Sequence, residues 1–192
     1  MHDIMTNDEL LTRIQASFPK IEKASAQVKD YLTVRLSGKE DLLPFASWLK
    51  QNSFDYLDML TAVDYLGPVE MKGYIRQANF NPFLPDGATP EIESAPTAGY
   101  PYRPVIDHLW SFISMKEKAR VVVKLEQPRD AASVPSLCGL FKAADWQERE
   151  NFDLLGINYE GHPNQAKILT PDFLQGHPLR KDYIHVKDRF DE

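Results

Sequence analysis

The stretch "IDHLWSFISMKEKARVVVKL", residues 106–125, constrains the fold more than any other part of the chain. Both halves are apolar, the second is β-branched through Val121, Val122 and Val123, and Lys116-Glu117-Lys118 supplies a polar turn between them. Such a pair reads as two strands of a hairpin and commits the chain to a sheet. Two more segments alternate in the same way. In "YLTVRL" Leu32, Val34 and Leu36 take one face while Tyr31, Thr33 and Arg35 take the other; in "YLDMLTAVDYL" Leu57, Met59, Thr61 and Val63 are expected to share a face.

Helical spacing appears elsewhere. Thr6 and Glu9 form a capping-box pattern ahead of Leu10, Leu11, Ile14 and Phe18, which predicts a helix over 7–17. Leu42, Phe45, Ala46 and Leu49 predict a second helix ending near Asn52, with Pro44 tolerated in its first turn. Residues 67–104 are so interrupted by Pro and Gly that they read as a long surface insertion. After Pro128 and Pro135, "SLCGLFKAA" and "DWQERENFDLLG" are expected to be helical, with Asp145 and Glu148 opening the second helix and Gly156 closing it as a left-handed cap. Beyond Gly156 no period persists. The expectation is an α+β domain over 1–156 and an extended docking tail over 157–192, built to lie along a surface.

At 192 residues the chain suits one compact domain plus an ordered extension, and folding at that size removes about 70% of the unfolded surface from water. Hydrophobic residues make up 43% and charged residues 26%, which excludes a disordered chain. A net charge of −6 without a basic run excludes the footprint of a nucleic-acid binder. The start, Met1-His2-Asp3-Ile4-Met5, has no leader-like pattern, and no stretch approaches the ~18 apolar residues of a membrane span. The chain is therefore expected to stay in the compartment where it is made. Cys138 is the sole cysteine, so an internal disulfide or an iron–sulfur cluster on this chain's own thiolates is excluded.

For chemistry the eye goes to Gly-His-Pro, present at 161–163 and again at 176–178. His108, His162, His177, His185 and Cys138 are the available nitrogen and sulfur ligands, but their spacings match no metal motif. Glycine permits a positive φ and proline fixes the next one, so each tripeptide is first a turn with an imidazole free to hydrogen-bond backbone. Asp145, Arg149 and Asp153 fall on one helical stripe; exposed, each pair contributes about 0.3–0.5 kcal/mol. Glu148 and Glu150 do not face one another, against a two-carboxylate hydrolase. Cys138 sits among Leu137, Leu140 and Phe141 and reads as an inert thiol. No nucleophile elbow, Walker loop or dinucleotide fingerprint is present. A small metal-dependent hydrolase using His162, His177 and a carboxylate is the competing enzyme reading.

Taken together, Glu148-Arg149-Glu150, Asp153, Gly156-Ile157, Gly161-His162-Pro163, Lys167-Ile168-Leu169 and Gly176-His177-Pro178-Leu179-Arg180-Lys181-Asp182 resemble the signature of the 30 kDa subunit of respiratory complex I and its relatives. "LTAVDY", the hairpin and "VPSL" are similar to the family as well. Two positions depart from its pattern: Asn164 stands where an acidic residue is usual, and Ala166 where a basic one is. The resemblance implies a two-layer α+β domain with a mixed sheet, whose C-terminal tail docks on the large subunit forming the quinone pocket. It implies no redox cofactor in this chain, the iron–sulfur clusters and quinone belonging to other subunits, and membrane association only through the complex, on the cytoplasmic or equivalent organellar face. The partner interface it implies comprises Glu148, Arg149, Glu150, Asp153, Gly161, His162, Pro163, Lys167, Gly176, His177, Pro178, Leu179, Arg180, Lys181 and Asp182. The electron donor stays open among NADH, ferredoxin, F420 and hydrogen.

Overall fold

The computed structural model describes residues 5–25, 31–66 and 102–183. Residues 67–101 of the expected insertion and 184–192 of the tail, His185 included, lie outside the described residues. Helix α1 (Asn7–Ser17) starts as its sequence predicts: Glu9 N–H donates to Thr6 Oγ1 at 3.3 Å and Thr6 N–H donates to Glu9 Oε2 at 2.8 Å. Strands β1 (Glu22–Lys23) and β2 (Leu32–Arg35) precede α2 (Leu42–Gln51), where Pro44 occupies the first turn and Leu42, Phe45, Ala46 and Leu49 are buried. Then come β3 (Tyr56–Asp64), β4 (Val105–Ser114), β5 (Ala119–Pro128), β6 (Ser133–Pro135), α3 (Ala144–Leu155) and β7 (Asn158–Glu160).

The first five strands form one mixed sheet in the order β1-β2-β5-β4-β3; β2 and β5 run parallel and every other neighbouring pair is antiparallel. β4 and β5 make the expected hairpin, in register from Ser114 opposite Ala119 to Val105 opposite Pro128. Ser114 Oγ accepts the Glu117 N–H at 3.0 Å inside the turn. Alternation sends Ile106, Trp110, Phe112, Val121, Val123 and Leu125 into a core shared with Leu10 and Ile14 of α1, the buried face of α2, and Ala144 and Leu155 of α3. The opposite face of the same strands is charged: Lys124 Nζ lies 2.7 Å from Asp107, while Arg35 and Arg103 approach Glu126 at 2.6 and 2.7 Å. The two guanidiniums, Arg103 foremost, push the Glu126 carboxyl down to about 2. This is the α+β, mixed-sheet architecture the sequence led us to expect.

Three local expectations fail, each for a physical reason. The register of β3 shifts between Leu57 and Met59, so Leu57 and Leu60 are both buried and Met59 turns outward. One extra residue inverts the parity of everything after it, and no alternation count can see that. Residues 136–143 are turns rather than helix, and the buried Glu148 carboxylate holds their start by accepting Leu137 N–H. Helix α3 begins at Ala144 behind Ala143, with no side-chain cap; Asp145 lies in its first turn, where its charge suits the helix dipole and its carboxylate comes within 3.5 Å of His162 Nε2. Finally, Ile157 and Tyr159 are core residues and β7 pairs in parallel with β6, so the chain leaves the core at Gly161 and not at Gly156.

The side chains of Asp107 and Lys124 are only 1% and 7% exposed. Removing one partner strands the other charge, so Asp107→Ala is expected to cost about 3–5 kcal/mol, whereas Asp107→Leu with Lys124→Met is expected to be near neutral. Urea unfolding of the two variants checks the contrast.

Candidate functional site

An α-helix leaves its last carbonyls without intrahelical donors. At the end of α3, Gly156 and the tail supply those donors between them. Gly156 takes φ 68°, a left-handed turn, and its N–H returns to Phe152 O at 2.9 Å. His177 Nδ1–H donates to Asp153 O at 2.9 Å, Leu179 N–H to Leu154 O at 2.9 Å, and Arg180 Nε–H to Leu155 O at 2.7 Å, with Nη2 3.5 Å from Gly156 O. The second Gly-His-Pro-Leu-Arg is thus a cap for a helix twenty residues upstream. Gly176, at φ 79°, makes the turn that sets its direction.

The other side of α3 holds the preceding part of the tail. The buried Asp153 carboxylate accepts three successive amides on Oδ2, from Ile168, Leu169 and Thr170 at 3.1, 2.8 and 2.9 Å, and the Thr170 hydroxyl on Oδ1. Burial pushes this carboxyl up, but the Thr170 hydroxyl and the three amides outweigh burial and hold it below the usual carboxylate range. Arg149 donates to Ala166 O at 3.0 Å and reaches Lys167 O at 3.5 Å, and Lys167 Nζ donates to Leu174 O at 2.6 Å. In the first Gly-His-Pro, with Gly161 at φ 80°, His162 Nδ1 accepts from Asn164 N–H at 3.0 Å while Nε2 lies 3.2 Å from Asp145 O. Asn164 and Ala166, the two departures from the family pattern, serve here through backbone groups, which any side chain supplies.

Sequence reasoning missed a third clamp. Asp64, at the end of β3, accepts both Arg129 Nε–H on its two oxygens at 3.0 Å and Lys181 N–H at 3.0 Å. Arg129 then grips the Asp182 carboxylate through Nη1 at 2.9 Å and through Nη2, and holds that carboxyl below its usual range. Arg129 is buried at 6% exposure. Alternation gave no signal, because Asp64 falls on the parity opposite Leu57, Met59, Thr61 and Val63 and comes to the buried side only through the register shift in β3.

Among the described residues, one group has the spacing to hold a metal ion. Cys138, Glu148 and His162 offer ligand atoms within 4.8 Å of one another. Yet Asn164 N–H on His162 Nδ1 places the imidazole proton on Nε2, which then points a donor, not a lone pair, at Glu148. Burial pushes the Cys138 thiol up to about 11, so it is protonated at neutral pH. Glu148 Oε1 accepts from Leu137 N–H at 2.7 Å and Oε2 from Ser136 Oγ at 2.6 Å and Cys138 Sγ at 3.4 Å. Burial raises its carboxyl, against those bonds. Its work is to hold the 136–138 turn. His177 likewise spends its nitrogen on a carbonyl.

What the junction leaves outward is apolar. Trp146, Leu169, Phe173 and Leu179 are 67, 61, 74 and 57% exposed. Glu150 and the Lys181 ammonium have no partner among the described residues, and Pro163 and Pro178 carry the two turns.

Residues 36–189 match a family model described as "Respiratory-chain NADH dehydrogenase, 30 Kd subunit". The chain is 37% identical over 157 residues to the J subunit of the NAD(P)H-quinone oxidoreductase of the Paulinella chromatophora chromatophore, covering 81% of this chain and 72% of that one. It is 32% identical over 177 residues to the C subunit of the NADH-quinone oxidoreductase of Moorella thermoacetica, covering 92% and 94%. In three dimensions it is similar to a trypsin-resistant fragment of Nqo5, with a TM-score of 0.54, 21% identity and coverage of 83% and 99%. A chain of the membrane-bound sulfane sulfur reductase, an archaeal respiratory membrane complex, aligns with a TM-score of 0.59, 21% identity and coverage of 96% and 95%.

Gly156→Ala is expected to destabilise the chain twice over. A left-handed φ costs about 1–2 kcal/mol for a residue with Cβ, and that Cβ would stand less than 3.0 Å from the His177 ring, forcing it off Asp153 O. Urea unfolding measures the first effect and the chemical shifts of His177 the second. The depressed carboxyls of Asp153 and Asp182 stabilise the folded tail fully above their ordinary value, and this is lost as pH falls through the lower, folded values. The amide resonances of Ile168, Leu169 and Thr170 should therefore hold steady down to about pH 4 and move towards unstructured positions only below it.

Proposed function

The chain belongs to the respiratory-chain NADH dehydrogenase 30 kDa subunit family and is a peripheral-arm subunit of a quinone oxidoreductase of the complex I type; we propose that its share of that machine is to present a pre-shaped docking face to the large quinone-pocket subunit. It works inside a hetero-oligomeric complex. No described helix is long and apolar enough to cross a membrane, and in this reading the chain reaches the membrane through its partners, on the cytoplasmic or equivalent organellar face. The clusters and quinone reside in those partners.

The observation that carries the reading is the division of labour at the junction. Polar groups of the tail are consumed within the chain, while Trp146, Leu169, Phe173 and Leu179 stand in water at more than half exposure. Large apolar side chains left exposed on a hydrogen-bonded support mark a protein interface. Among the charged residues the family signature picks out, Arg149, Asp153, Arg180 and Asp182 shape the face, and Lys181 and Glu150 are left to meet the partner. An NADH-linked complex is the setting kept for the electron donor, with a ferredoxin-, F420- or hydrogen-linked relative of complex I as the alternative.

Leu169→Ser with Phe173→Ser is expected to leave the isolated chain as stable as wild type, because both side chains are exposed, and to reduce recovery of the complex on the tagged subunit at least tenfold. Arg180→Glu and Lys181→Glu should separate: the first unfolds the cap and destabilises the isolated chain, and the second leaves its unfolding midpoint unchanged and weakens recovery. Full recovery of an iron–sulfur-containing complex with the double serine variant contradicts the proposal. The presence or absence of an NADH-oxidising module in the recovered complex decides the donor.

A further inference from the structure

Strand β3 is the outermost strand of the five-stranded sheet, so its residues that do not face β4 present their backbone outward. Thr61 and Val63 exchange bonds with Leu109 and Asp107 of β4; by alternation Leu60, Ala62 and Asp64 point away. At Leu60 helix α3 completes the edge with side-chain amides: Leu60 N–H donates to Gln147 Oε1, and Asn151 Nδ2–H donates to Leu60 O at 3.2 Å. These amides stand where the peptide groups of a sixth strand would. The substitution stops there, and Ala62 N–H and C=O have no outward partner among the described residues.

A groove of about 480 Å³ opens over this bare stretch, lined by Ala62, Asp64, Glu150, Leu154, Leu179 and Lys181 among others. Its floor offers strand hydrogen bonds, Leu154 and Leu179 line it with apolar side chains, and of the charged groups beside them neither the Lys181 ammonium nor the Glu150 carboxylate has a partner among the described residues. We propose that an extended segment of another subunit of the complex adds to the sheet at Ala62, seating an apolar side chain between Leu154 and Leu179 and a carboxylate on Lys181. Strand addition of this kind draws its affinity from main-chain bonds and its selectivity from the flanking pockets. A second copy pairing β3 on β3 does not fit, because its own β3 edge is overhung by α3 at Leu60 and cannot enter a groove lying between α3 and the tail. The groove shares Leu179 with the exposed apolar face, so one partner surface covers both, and the inference rests on the docking role proposed above.

The test is hydrogen–deuterium exchange on the isolated chain and on the intact complex, read on overlapping fragments that isolate Ala62. Thr61 and Val63 amides, bonded to β4, should exchange slowly in both. The Ala62 amide should exchange freely in the isolated chain and at least ~100-fold more slowly in the complex. A complex that contains the chain but leaves Ala62 freely exchanging overturns the strand addition while sparing the docking role. A chain recovered with no complex overturns both. Protection of Ala62 in a homodimer of the isolated chain, seen by light scattering, overturns the choice of partner and with it the proposal.

Discussion

The C-terminal carbonyls of α3 need donors, and everything that follows from the tail depends on where those donors come from. A helix end buried without partners costs free energy at each orphan group. Here a side chain, an amide and a guanidinium from 177–180 meet them in succession. This cap is also a tether. Once the tail is committed to α3 at Leu179 and Arg180, Lys181 and Asp182 fall beside Asp64 and Arg129, and the clamp between them closes without further search.

The tether explains why a chain segment with little regular secondary structure needs no partner to have a shape. Asp153 gathers the amides of 168–170 and Arg149 the carbonyls of 166 and 167, so α3 serves as a spool for nearly the whole described tail. Preorganisation of that kind lowers the ordering entropy that association must overcome. The apolar residues left outside are then held at fixed positions, and binding them requires no folding step.

How much of this was legible in the sequence depends on the range of the interaction. The capping box at Thr6, the hairpin at 105–128 and the left-handed glycines at 156, 161 and 176 are local, and their residue types announce them. The bulge in β3 and the turn at 136–143 involve distant partners, a register in one case and the buried Glu148 in the other. Resemblance to a family picked out residues of the C-terminal tail but not their hydrogen-bond partners, since most of these are backbone carbonyls and amides that carry no sequence signature. The pairing of Arg129 with Asp64 escaped notice for a related reason: they are 65 residues apart, and although Asp64 lies within the family-like "LTAVDY", nothing local names its partner.

The tail is shaped by its own helix before any partner arrives. Amide exchange at Leu179 in the isolated chain tests this directly, because that N–H is bonded to Leu154 O. Protection well above that of an unstructured peptide, lost on Arg180→Ala, is the predicted result. Exchange at the unstructured rate in the wild-type chain, with protection appearing only in the complex, would mean that the partner and not α3 orders the tail.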